Sequence, residues 1–270
     1  MGTSLTGSAN AVASAFVAAR RAARALGSYP GAAPKDMACA YQSQDRAIAL
    51  DGRKVAGWKV GRIFPPDDAR LGSNRLAGPI FAGSLRRADP GDMPEMPVFA
   101  GGFAAAEAEM LLHLAPGWQG ASPSDDTGTR ALIDEVRLGI EIASSPYPRI
   151  NADGPTVTAS DFGNNNGLVI GRVLEGWQEL DLSAITVCLE IDGEQVGEAT
   201  AATMLDGPYG AVRFLLANLA SRGFDSGGGL WVSTGAITGV HKVAPGAQVK
   251  ATFGSHGEVQ CRIAAAKGQA

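Results

Sequence analysis

FAAAEAEMLL, residues 103–112, places Glu107 and Glu109 two positions apart inside an otherwise apolar run. Only 19% of the 270 residues are charged, so two carboxylates in such a setting call for a partner. On a strand the two side chains point to one face with Cα atoms roughly 7 Å apart, whereas on a helix they diverge. The longer stretch AAEAEMLLHL (105–114) reads as a strand. Two readings then stand side by side. Either the strand turns an ordinary acidic face to solvent, or the carboxylates share one pocket and repel unless a cation or protons neutralise them.

Glu141 weighs on the second reading. In EVRLGIEIASSPYPR (135–149), Val136, Leu138, Ile140 and Ile142 alternate as in a strand, which sets Glu141 on the opposite face. A third carboxylate would complete a hard oxygen site. Three carboxylates with no cysteine nearby in sequence suit Mg²⁺ or Mn²⁺, and zinc less well.

Outward from this centre the chain divides by pattern. Val12, Phe16, Ala19, Ala23 and Leu26 recur at helical spacing, so a helix is expected over 9–27, stopped by Gly27. A second is expected over 35–51, with Met37, Tyr41 and Ile48 on its apolar side. After VAGWKVG (55–61) the sequence becomes short β-prone runs between Gly/Pro turns, interrupted by helices expected at 129–136 and at 208–222, the latter with Pro208 in its first turn and Gly223 beyond its end. The reading is α+β: a helical N-terminal segment over 1–75 packed on a β-rich body over 76–270, as one structural unit. GGG at 227–229 lacks the helix and lysine of a phosphate cradle and reads as a loop.

Composition removes several function classes. The formal net charge is −4 and no basic stripe runs along the chain, so nucleic acid is not an expected partner. No uninterrupted apolar segment approaches the ~20 residues needed to span a bilayer. Arg20, Arg21 and Arg24 follow the first apolar stretch, the reverse of a secretory signal, and Gly2 with Thr6 fits a myristoylation pattern only formally. Cys39, Cys188 and Cys261 are scattered and odd in number, which points to a reducing, cytoplasmic setting.

GWKVG (57–61), AAEAEMLL (105–112) and GIEIAS (139–144), in that order, resemble the fumarylacetoacetate hydrolase superfamily. SDFGNNNGLVIG (160–171) and LWVSTGAITGVHKVAPG (230–246) extend the likeness, which runs from about residue 40 to the C-terminus. It is nearest the branch of 2-keto-4-pentenoate hydratases and 2-oxo-3-hexenedioate (4-oxalocrotonate) decarboxylases. The resemblance implies a β-rich fold of the fumarylacetoacetate hydrolase C-terminal type. It implies that Glu107, Glu109 and Glu141 hold Mg²⁺ or Mn²⁺, that Lys59 is catalytic, and that Asp161, Thr234 and Gly235 contact substrate. The implied substrate is a short 2-oxo acid whose adjacent carboxylate and 2-oxo oxygens chelate the metal, and the implied assembly is a homo-oligomer.

Lys59, between Gly57 and Gly61 and flanked by Trp58 and Val60, is expected to be partly desolvated, with its pKa lowered toward a useful acid/base range. The superfamily's C–C hydrolases use a histidine upstream of the metal strand, but the three histidines here, His113, His241 and His256, all follow Glu109. That moves the expectation to a lyase: hydratase first, 2-oxo-enedioate decarboxylase second. A catalytically silent binding or assembly protein is the rival from another class. His113 shares the strand face of Glu109, which would let it approach the same pocket. SNRLAGPIF (73–81) offers Leu76 and Ala77 where hydratases of the branch often carry an acid, which bears on the water-activating step, and Phe162 stands where an asparagine is common, which bears on substrate choice.

Overall fold

Ala106, Ala108, Met110 and Leu112 belong to one continuous core with Leu189, Val249, Ala251 and Ile263, while the residues between them, Glu107, Glu109 and Leu111, face the other way. That alternation organises the molecule. The computed structural model describes residues 2–117, 122–224 and 229–268, with side chains from residue 8 onward. Positions 227 and 228 of the GGG loop lie outside the described residues.

The elements in chain order are α1 (Gly2–Arg21), α2 (Met37–Asp51), β1 (Val55–Arg62), α3 (Asp67–Leu71), β2 (Arg75–Phe81), β3 (Leu85–Arg87), β4 (Glu95–Val98), β5 (Phe103–Leu114), α4 (Asp126–Arg130) and β6 (Ile133–Ser145). They continue as α5 (Pro155–Ser160), β7 (Asn165–Val173), β8 (Thr186–Ile191), β9 (Glu194–Thr200), α6 (Gly207–Arg222), β10 (Leu230–Ser233), β11 (His241–Lys242), β12 (Gln248–Phe253) and β13 (Glu258–Ala265).

The large sheet runs β2-β1-β10-β5-β6-β7-β3, with β11 also paired to β5. The smaller runs β4-β13-β12-β8-β9. Helix α6 adds Leu215, Leu216 and Leu219 to the core between them. This mixed, strand-rich architecture is the expected α+β class. Strand β1 falls within the 1–75 stretch yet belongs to the large sheet, antiparallel to β2 and parallel to β10. No helix among the described residues is long and apolar enough to cross a membrane.

Two helix expectations need correction. The first helix ends at Arg21 rather than at Gly27, because Ala23 takes a left-handed conformation (φ 49°) and the amide of Leu26 then bonds Pro146 O on the body. The helix expected over 129–136 is instead the short α4, capped by Asp125 on Gly128 N, followed directly by β6 from Ile133. The alternation seen from Val136 onward extends upstream, and pairing with β5 overrides local helix propensity.

Candidate metal centre

β5 and β6 are antiparallel neighbours in a register that sets Glu107 directly opposite Glu141, so both carboxylates stand on one face with Glu109 two residues along. One oxygen from each of the three lies within 4.8 Å of the others. All three are buried, Glu109 and Glu141 completely. The solvated-face reading therefore fails.

Several groups hold the cluster. Ser233 Oγ and the Gly235 amide (2.9 Å) donate to Glu109 Oε2. Asn165 Nδ2 donates to Glu141 Oε1 at 2.8 Å. Lys59 reaches in from β1, its Nζ 3.0 Å from Glu141 Oε2 and donating to Asn164 Oδ1 at 3.3 Å. Even so, among the described residues Glu109 Oε1 has no hydrogen-bond donor, and Glu141 Oε2 has only the Lys59 ammonium, 3.0 Å away.

Three carboxylates against one ammonium leave excess negative charge in a dry place. Burial pushes Glu107 up to about 7, with Glu141 adding to the rise and Lys59 opposing it. Burial, then Glu141 and Glu107, lift Glu109 well above the carboxylate range. Lys59 corrects the expectation drawn from its neighbours. Its burial does favour the neutral amine, but Glu141, Glu107 and Glu109 together outweigh that and raise its pKa above the ordinary lysine value. With no cation in the cluster, the three acids favour the ammonium form of Lys59.

A buried carboxylate oxygen without a donor, Glu109 Oε1, in an all-oxygen donor set fits a hard divalent cation. The same imbalance has a measurable effect on the metal-free chain. A carboxyl group whose folded pKa is raised contributes stability below its ordinary value of 4.5 and loses it as the pH rises through the folded pKa. Glu109→Gln keeps an acceptor for Ser233 and Gly235 and removes one repelling charge. In chelator the E109Q variant should match the wild type near pH 4.5 and melt progressively higher than it as the pH rises past 7. An advantage that does not grow with pH would show that the repulsion is absent.

A cavity of about 720 Å³ opens beside the cluster, and Lys59, Glu107, Leu76, Thr234 and Gly235 are in its wall. Thr234, whose hydroxyl donates to Met110 O, and Gly235 thus stand where the motif put them. Asp161 does not. Its carboxylate is fully buried away from the cavity wall and is taken by Arg20 Nε (2.6 Å), Arg20 Nη2 (2.9 Å) and Ser145 Oγ (2.6 Å). His113 is also elsewhere: its Nδ1 bonds Asp134 at 2.7 Å and its ring packs on Trp231.

The sequence reading missed Ser233, Asn164 and Asn165, which touch the cluster, and Arg62 and Arg75, which line the cavity. The asparagines carried a signal, a polar triplet just after the motif acid, but followed by Gly167 it reads first as a turn before a strand.

No family model matches this chain. It is 30% identical over 133 residues to a 4-oxalocrotonate decarboxylase of Pseudomonas putida, covering 49% of this chain and 50% of that protein, so the match spans about half the relative's length. It is 28% identical over 213 residues to a 2-keto-4-pentenoate hydratase of Paraburkholderia xenovorans (strain LB400), covering 78% of the chain and 77% of the relative. Among solved structures, the 4-oxalocrotonate decarboxylase from Pseudomonas putida G7, complexed with magnesium and adipate, superposes with a TM-score of 0.77 at 24% identity over 94% of this chain and 97% of that one. These relatives and this shared fold bear out the resemblance read from the motifs.

Proposed function

We propose that this chain is a divalent-cation-dependent lyase of short 2-oxo acids, with Glu107, Glu109 and Glu141 as ligands of Mg²⁺ or Mn²⁺. The observation that carries the reading is the convergence of three buried carboxylates, with Glu109 Oε1 lacking a hydrogen-bond donor among the described residues, beside a cavity whose wall includes Glu107. A bound cation would act as a Lewis acid toward the substrate's 2-oxo oxygen, favouring the enolate form.

The chain's own residues narrow the reaction. Hydration needs a group to activate water. No histidine among the described residues lines the cavity, and Lys59 Nζ is engaged by Glu141 Oε2 at 3.0 Å. Leu76, in the stretch where hydratases of the branch often carry an acid, lines the wall, and Asp67 at the rim is engaged by Arg70 at 2.6 Å. Cationic and apolar groups are well supplied. Arg62 lines the cavity with its guanidinium over the Phe64 ring and no carboxylate partner among the described residues. Leu76, Met204 and Ile237 give an apolar wall, which disfavours a carboxylate's charge and so favours its loss.

These features support decarboxylation of a 2-oxo-enedioate over hydration, with Arg62 drawing the dianion in. The bond to the distal carboxyl breaks, CO₂ leaves, the electron pair stays in the conjugated enolate, and Lys59 Nζ supplies the proton that completes the 2-hydroxy-dienoate. Hydration of such a dienoate is the second reading, favoured by the hydratase relative.

To test this, the purified chain with Mg²⁺ or Mn²⁺ is incubated separately with 2-oxo-3-hexenedioate and with 2-hydroxypenta-2,4-dienoate. CO₂ release from the first with the second left intact is the expected result. Loss of the dienol without CO₂ from the enedioate would replace decarboxylation by hydration. Inertness toward both, with no metal-dependent stabilisation, would sink the lyase reading.

A further inference from the structure

We propose that Arg20, on the N-terminal helix and outside the cavity, is a positioning residue for the acidic centre. It holds the left-handed turn 162–164, from which Asn164 and Asn165 reach Lys59 and Glu141. The inference rests on the metal-site reading above.

Phe162, Gly163 and Asn164 have φ of 54°, 59° and 58° in succession. Glycine adopts this region freely and asparagine tolerates it, but a phenylalanine there crowds its own Cβ against the backbone. Such a run persists only when its surroundings over-determine it.

One guanidinium does most of that. Arg20 grips the Asp161 carboxylate immediately before the turn at 2.6 and 2.9 Å, and its Nη1 donates to Asn165 O immediately after it at 3.1 Å. Its Nη2 also donates to Ser144 O, on the strand that carries Glu141, at 3.1 Å. Both ends of the turn are thereby tied to β6. The rings of Phe99 and Phe162 lie 5.3 and 5.0 Å from the guanidinium carbon. Gly78, opposite Lys59 in the β1–β2 register, lets the turn lie directly on β2, since a Cβ there would come within 2.1 Å of Phe162 O.

The result of this bracing is the position of two amides. Asn165 Nδ2 occupies Glu141 Oε1, leaving Oε2 for the centre, and Asn164 Oδ1 accepts from Lys59 Nζ. A carboxylate only accepts, so Asn165 must present its NH₂ group and hence a fixed side-chain orientation. Groups that orient a ligand from outside commonly change metal affinity by about 10- to 100-fold when removed.

A plain docking role, in which Arg20 and Asp161 merely fasten α1 to the body, predicts a lower melting temperature and nothing more. The deciding measurement is Mn²⁺ affinity by calorimetry for the wild type, R20M, R20K, N165A and R20K/N165A, alongside kcat and KM. R20K retains a charge for Asp161 but cannot also span Asn165 O and Ser144 O, so it decides the matter if R20M does not fold.

N165A and R20K should each weaken Mn²⁺ by about 10-fold or more, and the double variant should be no weaker than N165A, because Arg20 acts through that amide. In R20K, kcat should fall with KM little changed. If R20K melts lower yet binds Mn²⁺ as the wild type does, or if the two penalties add in full, the positioning role is overturned. If the wild type itself binds no Mn²⁺, the metal-site reading fails and this inference with it.

Discussion

Glu141→Ala should lose both the stabilisation by Mn²⁺ and the activity, the latter by on the order of 10³-fold or more, the equivalent of several kcal/mol of lost Lewis acidity. Glu141 is the junction of the centre: it faces Glu107 across the strands, takes the Asn165 amide and lies against Lys59. A cation that binds only the folded chain stabilises it by about 2.7 kcal/mol at a hundredfold excess over its dissociation constant. Melting with and without 1 mM Mn²⁺ therefore reads the site directly, with circular dichroism as the check that the variant is folded. A full Mn²⁺-induced rise retained in E141A would remove the basis of the proposed function.

Lys59→Met should split the two readouts in opposite directions. Activity should fall by about 10²- to 10⁴-fold, the usual worth of a positioned proton donor, yet Mn²⁺ should bind at least as tightly as before. The reason is that the ammonium at 3.0 Å from Glu141 is the positive charge a metal ion must coexist with. The metal-free variant should suffer, because three buried carboxylates then lack their counter-ion. That loss should be smallest at acid pH, where Glu107 and Glu109 carry protons in the folded chain, and should grow as the pH rises through about 7, where Glu107 is poised. K59M with wild-type turnover would take Lys59 out of the chemistry. K59M with Mn²⁺ binding abolished would make it part of the metal site's architecture instead.

The contrast between Lys59 and Asp161 shows what the sequence does and does not disclose. Strand parity alone put Glu107 and Glu109 on one face, and alternation around Glu141 turned the third acid away from its apolar neighbours; both are properties of a few adjacent residues. The charge state of Lys59 is set by groups on two other strands, and local burial pointed the wrong way because the three acids that dominate it are 48 to 82 positions downstream. Asp161 looked like a substrate contact because nothing near it marks Arg20, 141 positions away, as its partner. Glu109's Ser233 and Gly235 are similarly remote. Pairwise side-chain contacts between distant segments are the layer that periodicity cannot reach.

The acid end of the cavity is built at mid-strand on β5 and β6, whose backbones are committed to cross-strand hydrogen bonds on both sides, whereas residues 63–65, 204–205 and 236–240 at the rim lie between elements. The two ends therefore tolerate change unequally. A substitution beside Glu107 or Glu141 disturbs the whole sheet, but one at Phe64, Leu205 or Val240 alters only what the opening admits. Descent from a common ancestor could thus diversify the clientele of this scaffold through its mouth, leaving the ion-holding floor untouched.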